Sequence, residues 1–261
     1  MTTRLPVMFI GHGSPLTAFE DNQFTRGWTA LVKDIKPRAV LCISAHWCTH
    51  GTGVTAMTAP RTIHDFGGFP DALYQFQYPA PGDPQLAQQV VELLSPLNVV
   101  PDHQWGLDHG CWAVMKHLFP MADVPVVQLS IDMNHNSQWH YNLGKQLAPL
   151  RDEDILIIGS GNVVHNLGQL DFSDSGKVFP WAKLFNDHIR RAIESRNYQQ
   201  VIDYQQGDEA LRQAALLSVP TADHYFPLLY VLGASDGNDA IDVVLDEIVL
   251  GSIAMMSVKL G

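Results

Sequence analysis

The chain has 261 residues, 46% of them hydrophobic and 16% charged, a composition that builds a buried core and argues against disorder. Asp and Glu number 27 against 16 Lys and Arg, and a formal net charge of −11 works against a phosphate backbone, so nucleic acid is not an expected partner. No apolar run reaches membrane-spanning length and no signal-like segment opens the chain, so a cytoplasmic protein without a membrane partner is expected.

In chain order, residues 7–10 read as a short buried strand that runs into Gly11-His12-Gly13-Ser14-Pro15. A helix is predicted over 24–35 and a second buried strand over 39–44, ending in Ala45-His46-Trp47. The stretch 56–83 is rich in Gly, Pro and aromatic residues, and a connection this long in a compact domain is more often a binding loop than a plain link. Helices follow at 84–94 and 109–119, a β-branched strand at 124–131, a helix at 139–150, and a short strand at 155–158 that ends in Gly159-Ser160-Gly161-Asn162. Helical patterns recur at 181–195, 208–217 and 224–232, and the tail over 240–245 and 248–260 reads as two final strands around a turn. Apolar strands alternating with helices predict an α/β fold: three layers, α/β/α, around a mixed, mostly parallel sheet, in one domain spanning 1–261.

Of the twelve histidines, three fall at or just beyond the carboxyl ends of predicted strands, each beside small residues: His12, His46 and His165. That edge is where ligands bind in open α/β sheets, and converging imidazoles form a site for iron, zinc or copper. His224 lies at the start of a predicted helix, where Asp223 beside it could simply be a cap, and His109 opens another. His50, His103, His117, His135, His140 and His188 belong to no constellation and read as surface or structural residues. Gly13 and Gly161 read as places where backbone approaches a bound ion or substrate. Ser14 and Ser160 read as weak candidate nucleophiles, since neither lies in a Gly-x-Ser-x-Gly motif, and no full nucleotide-binding glycine motif is present. Cys42, Cys48 and Cys111 form no disulfide framework and no Cys-x-x-Cys pair, and Cys42 reads as core.

Six segments occur in a telling order: Gly11-His12-Gly13-Ser14-Pro15, Ser44-Ala45-His46-Trp47, the loop Thr62-Ile63-His64-Asp65-Phe66-Gly67-Gly68-Phe69-Pro70, Asp108-His109-Gly110, Ser160-Gly161-Asn162-Val163-Val164-His165-Asn166 and His224-Tyr225-Phe226-Pro227-Leu228-Leu229. Together they resemble the class III (LigB-type) extradiol ring-cleavage dioxygenases, in the 4,5-DOPA extradiol dioxygenase branch, from about residue 5 to the C-terminus. The resemblance implies one mononuclear divalent metal, a small catecholic substrate and O2, and a ring-opened semialdehyde product. It places His12, His46 and His224 at the metal-ligand positions. His165 matches an acid/base histidine that can also approach the metal, and His109 matches a histidine lining the substrate site. His64, Phe66 and Phe69 are expected to line a pocket for an aromatic ring. A histidine at 224 replaces the glutamate of other class III enzymes, and an all-nitrogen site suits Zn(II) as well as the Fe(II) expected for turnover. Two other readings accompany it: a zinc hydrolase in which His165 or Asp108 assists a water, and a non-catalytic metal-binding relative. The oligomeric state is not specified by the sequence.

Overall fold

The computed structural model describes residues 4–95, 97–173 and 176–261. The elements are β1 (Val7–Gly11), α1 (Gln23–Leu31), β2 (Ala39–Thr49), β3 (Gly53–Thr55), α2 (Asp71–Gln75), α3 (Pro84–Leu93), β4 (Val100–Asp102), α4 (His109–Leu118) and β5 (Val126–Asp132). The chain continues through α5 (Ser137–Leu147), β6 (Ile155–Gly161), α6 (Pro180–Glu194), α7 (Tyr198–Ile202), α8 (Glu209–Ser218) and α9 (Phe226–Ala234). It ends in β7 (Ile241–Val244), β8 (Ile248–Val249), β9 (Ile253–Ala254) and β10 (Ser257–Leu260).

The main sheet has the order β4-β3-β5-β2-β6-β1-β10-β7. Its centre, β5-β2-β6-β1, is parallel, while β3 and β10 flank it antiparallel. Successive side chains on a strand face opposite ways, and here the alternation divides two cores. Phe9, Leu41, Ile157 and Leu129 pack beneath α5, α6, α8 and α9, while Met8, Ile10, Cys42 and Ile158 pack against α1 and α4. Both faces of the sheet are therefore covered by helices, which is the expected three-layer mixed fold.

Three local departures from the sequence expectations bear on the site. Helix α1 stops at Leu31 rather than 35, because Val32 and Lys33 donate to Thr29 O and Ala30 O in a tightened last turn. Strand β2 runs to Thr49, and its register against β5 breaks between Ile43 and Cys48, so His46 sits inside a bulged strand instead of beyond its end. The tail is not a simple pair: β7 and β10 join the main sheet, while β8 and β9 form a separate two-stranded ribbon. Leu245 and Leu250, at φ of 57° and 50°, break the extended backbone on either side of β8.

Helix α9 is buried on every side, which suits a sequence that is apolar all round. Its far end is held by Arg151, itself 1% exposed, which donates to Leu5 O, to Ala234 O and to both carboxylate oxygens of Asp239. This clamp joins the entry to β1 with the exit of α9, the two elements that lead to His12 and His224. Burial alone would raise the Asp239 carboxyl, but the Arg151 hydrogen bonds outweigh it and hold the carboxyl below its ordinary range. Removing one partner of a buried ion pair strands the other charge, so Asp239→Ala should cost about 3–5 kcal/mol in urea denaturation at neutral pH. Because the folded carboxyl is the more acidic, its contribution is fully present above the unfolded value of about 3.9 and is lost as pH falls through the folded value. A loss below about 1 kcal/mol at neutral pH would mean that the pair does not anchor α9.

Candidate metal centre

Four of the histidines singled out in the sequence meet at the carboxyl edge of the parallel strands. His12 follows β1, its backbone N–H donating to Gly161 O at 3.1 Å. His46 leaves the bulge in β2, and His165 follows β6, where its N–H donates to Ser218 O. His224 precedes α9, and its carbonyl accepts from Asn162 N at 2.9 Å. A Cβ at Gly161 would lie 2.2 Å from that carbonyl, so the end of β6 can meet the His224 turn only as glycine. Gly161 thus admits a neighbouring backbone rather than a ligand, which corrects the sequence expectation. Gly13, at φ +67°, does line the cavity.

The hydrogen bonds fix where the imidazole lone pairs point. Ser160 has one hydroxyl proton, and it is donated to Gly110 O at 2.6 Å. The 3.0 Å contact between His12 Nδ1 and Ser160 Oγ must therefore be donated by Nδ1–H, which leaves Nε2 as a lone pair. His224 Nδ1 stands 3.0 Å from the acceptor-only carboxylate of Asp223, with the same consequence. His46 Nδ1 lies 3.2 Å from Asp65 Oδ2, which favours a proton there too. The Nε2 atoms of His12 and His46 face each other at 3.2 Å, two acceptors with no donor between them. One nitrogen each of His12, His46 and His224 lies within 4.8 Å of the others, so the trio can hold a metal ion. That donor chemistry fits a divalent cation. His165 is not part of the set: its ring lies flat on that of His224, centroids 3.5 Å apart and planes 5° apart.

The electrostatics agree with the hydrogen bonds. Burial first, and then the neighbouring imidazoles, push His12 and His46 well below 6.5. Burial and His224 likewise lower His165 to about 3. All three are neutral at physiological pH, as metal ligation or proton acceptance requires. Burial would raise Asp65 and Asp223, yet hydrogen bonds to His109 and His224 respectively outweigh it and keep both carboxylates ionised.

Around the trio is a cavity of about 640 Å³ that includes Phe66, Phe69, His109 and His165 in its wall. Asp65 braces this wall by accepting from both the backbone N–H and Nδ1 of His109, at 2.9 and 2.8 Å. The ring of Phe66 meets Phe69 and His109 edge to face, at 5.3 and 5.6 Å. His64 does not line the cavity. Its Nε2 bonds to Phe76 O and its ring packs by Phe66 and Trp112, so it shapes the loop from behind. Asp108 is also absent from the wall. It is fully buried, accepts from Ser44, Gln128 and Cys111 N, and ties α4 to β2 and β5. Burial and the nearby Asp65 charge push the Asp108 carboxyl up. Sequence reasoning missed Asp65 as the pivot between His46 and His109, although it sits inside the quoted loop motif. It also read Asp223 as a possible cap and Ser160 as a weak nucleophile, whereas both orient imidazoles.

A family model described as the catalytic LigB subunit of aromatic ring-opening dioxygenase matches residues 6–251. The chain belongs to this family. A 4,5-DOPA dioxygenase extradiol of Escherichia coli K12 is 47% identical, covering 100% of this chain and 96% of the relative. One from Beta vulgaris is 38% identical, covering 90% and 89%. The crystal structure of an uncharacterized protein from E. coli K12 superposes with a TM-score of 0.86 at 42% identity, over 99% of this chain and 100% of that one. The chain is thus an enzyme of the extradiol dioxygenase family, in the 4,5-DOPA branch. Among its described residues no helix is long and apolar enough to cross a membrane.

Loss of a ligand's outer hydrogen bond typically costs 10–100-fold in metal affinity. Ser160→Ala should therefore weaken Zn(II) binding by about that factor in competition titrations, with the circular dichroism spectrum unchanged. An unchanged affinity would show that Ser160 does not set the His12 tautomer.

Proposed function

We propose that this dioxygenase opens the ring of a catechol, the class to which DOPA belongs, with a divalent metal held by His12, His46 and His224, and that it works in the cytoplasm, where its three free thiols stay reduced. The observation that carries the reading is the convergence of three imidazole lone pairs in the wall of an aromatic-lined cavity. Three protein ligands leave positions for a diol and for O2. Fe(II) bound there would supply the redox link between catechol and O2, and Zn(II) suits the same nitrogen donors without that chemistry.

The chain's own residues supply position and proton transfer. Phe66 and Phe69 offer apolar surface to the flat face or edge of a ring. His109, its Nδ1–H held by Asp65, keeps Nε2 free to accept a hydrogen bond from a diol hydroxyl. His165, in the cavity wall and outside the ligand trio, is the base for the second hydroxyl and returns the proton later. The zinc-hydrolase reading loses one of its two candidate bases, since Asp108 is enclosed by protein donors. The non-catalytic reading would call for a broken histidine set, and His12, His46, His165 and His224 are all present.

The test is anaerobic reconstitution with Fe(II), followed by a catechol panel in an oxygen electrode. Oxygen uptake coupled to a yellow ring-opened product is expected. His165→Gln should lower kcat by about 10²–10⁴-fold, the usual range for general acid–base catalysis, with metal content unchanged. Absence of O2 uptake with every catechol would refute the function. Metal loss in His165→Gln would make that residue a ligand and move the base to His109.

A further inference from the structure

The three ligand imidazoles take their outer partners from different kinds of structure. His12 leans on Ser160 in the neighbouring strand β6, and His224 on Asp223, the residue beside it in the chain. His46 alone depends on a loop. Its outer partner is Asp65, in the segment that also carries Phe66 and Phe69 to the cavity wall. The stem of that loop is held through its main chain: Ile63 N–H donates to Leu107 O at 2.7 Å, Leu107 N–H to Arg61 O at 2.8 Å, and Trp112 Nε1–H to Ile63 O at 2.8 Å. Past Asp65 the ties thin out. A Cβ at Gly67 or Gly68 would meet no atom within 4 Å, Gly68 has φ +79°, and Phe69 N–H reaches Tyr74 Oη only at 3.4 Å. Asp65 is therefore the firm polar attachment nearest the aromatic turn.

That attachment is shared unequally. Oδ1 accepts from His109 N–H at 2.9 Å and Oδ2 from His109 Nδ1–H at 2.8 Å. His46 Nδ1 stands 3.2 Å from the same Oδ2, a looser approach. The two rings lie 3.8 Å apart, centre to centre, tilted by 49°. One carboxylate, its side chain only 15% exposed, thus has a metal ligand on one side and a substrate-facing histidine on the other. An ion on Nε2 withdraws electron density from an imidazole and makes its Nδ1–H the stronger donor. Hydrogen bonds to ionised partners are also shorter and roughly twice as strong as neutral ones.

We propose that Asp65 is a positioning residue through which metal occupancy sets the aromatic wall of the substrate cavity. With an ion on His46 Nε2, the Nδ1–H draws Oδ2 into a full hydrogen bond. The carboxylate, held from both sides, then fixes His109 and, with it, the Phe66 ring that meets His109 edge to face. The coupling is reciprocal: whatever the loop gains from the ion, the ion gains from the loop. The metal-free enzyme has a loosely set substrate wall and the loaded enzyme a firm one. This rests on His46 being a metal ligand, as assigned above.

The experiment is amide hydrogen exchange followed by NMR on the full chain, metal-free and with one equivalent of Zn(II). The reporter is the His109 amide. As the first amide of α4 it has no acceptor within the helix, and its partner is Asp65 Oδ1. Zn(II) should slow its exchange at least about fivefold, the lower end of typical coupling between sites, while the stem amides of Ile63 and Leu107 change less. Asp65→Asn keeps an oxygen acceptor for that amide and loses the charge. In it Zn(II) affinity should fall about 10–100-fold, and His109 exchange should no longer respond at saturating Zn(II). Asp223→Asn, which alters the outer partner of His224 instead, should weaken the metal by a similar factor yet keep the response. A His109 exchange rate that Zn(II) leaves unchanged in the wild-type chain would overturn the proposal, and that measurement needs no variant. So would a response that survives in Asp65→Asn. Complete loss of the Zn(II) equivalent in His109→Ala would place the ion among His46, Asp65 and His109, the other trio whose donor atoms lie within 4.8 Å of one another, and would overturn it as well. Failure of the ligand assignment is read separately: Zn(II) bound as tightly by His46→Ala as by the wild type removes His46 from the metal site and the coupling with it.

Discussion

The rest of the site depends on one short relay, the hydroxyl of Ser160 held between Gly110 O and His12 Nδ1. Because that hydroxyl spends its only proton on a carbonyl, His12 must donate through Nδ1 and keep its Nε2 lone pair for the cavity. Asp223 imposes the same tautomer on His224, and Asp65 favours it at His46. Each imidazole is thereby fixed in direction by a partner on its outer side. The lone pairs that result would repel one another without a cation between them, and a divalent ion resolves that conflict.

The fold brings these partners together through a few close approaches. Parallel strands β1, β2 and β6 end side by side, which delivers His12, Ser160 and His165 to one edge, while the bulge in β2 turns His46 toward them. Gly161 lets the His224 turn settle directly on β6, and the buried Asp108 fastens the start of α4 to Ser44 and Gln128 so that His109 stands next to His46. Arg151 anchors the opposite end of the same elements. The histidines are thus held by buried structure on both sides of the sheet, while the aromatic and aliphatic wall comes from the loops, where substrate preference is more easily varied.

Much of this was legible in the sequence. Short apolar runs marked the central strands, since a strand buried on both faces has no polar alternation to blur it, and small residues beside His12, His46 and His165 marked the edge. Less legible was anything that depends on contact between distant segments. The bulge that carries His46 arises from pairing with β5, not from a local signal. The orienting acceptors Asp65, Ser160 and Asp223 are ordinary polar residues until the imidazoles they serve are placed beside them. His64 read as a pocket residue because it neighbours Phe66, but its bond to Phe76 O turns it away from the cavity. Spacing could not separate His165 from the ligands either. Its stacking on His224 is a tertiary contact.

The central claim is that outer-side partners fix three histidines with unprotonated Nε2 atoms directed at one point. Long-range proton–nitrogen NMR correlation of the histidine rings tests it most directly, first in the metal-free protein and then after one equivalent of Zn(II). His12, His46 and His224 should show protonated Nδ1 and unprotonated Nε2 without metal, and the Nε2 resonances of these three should shift on loading while His165 retains unligated nitrogens. A protonated Nε2 at His12 or His224, or a fourth ring shifted as a ligand, would contradict it.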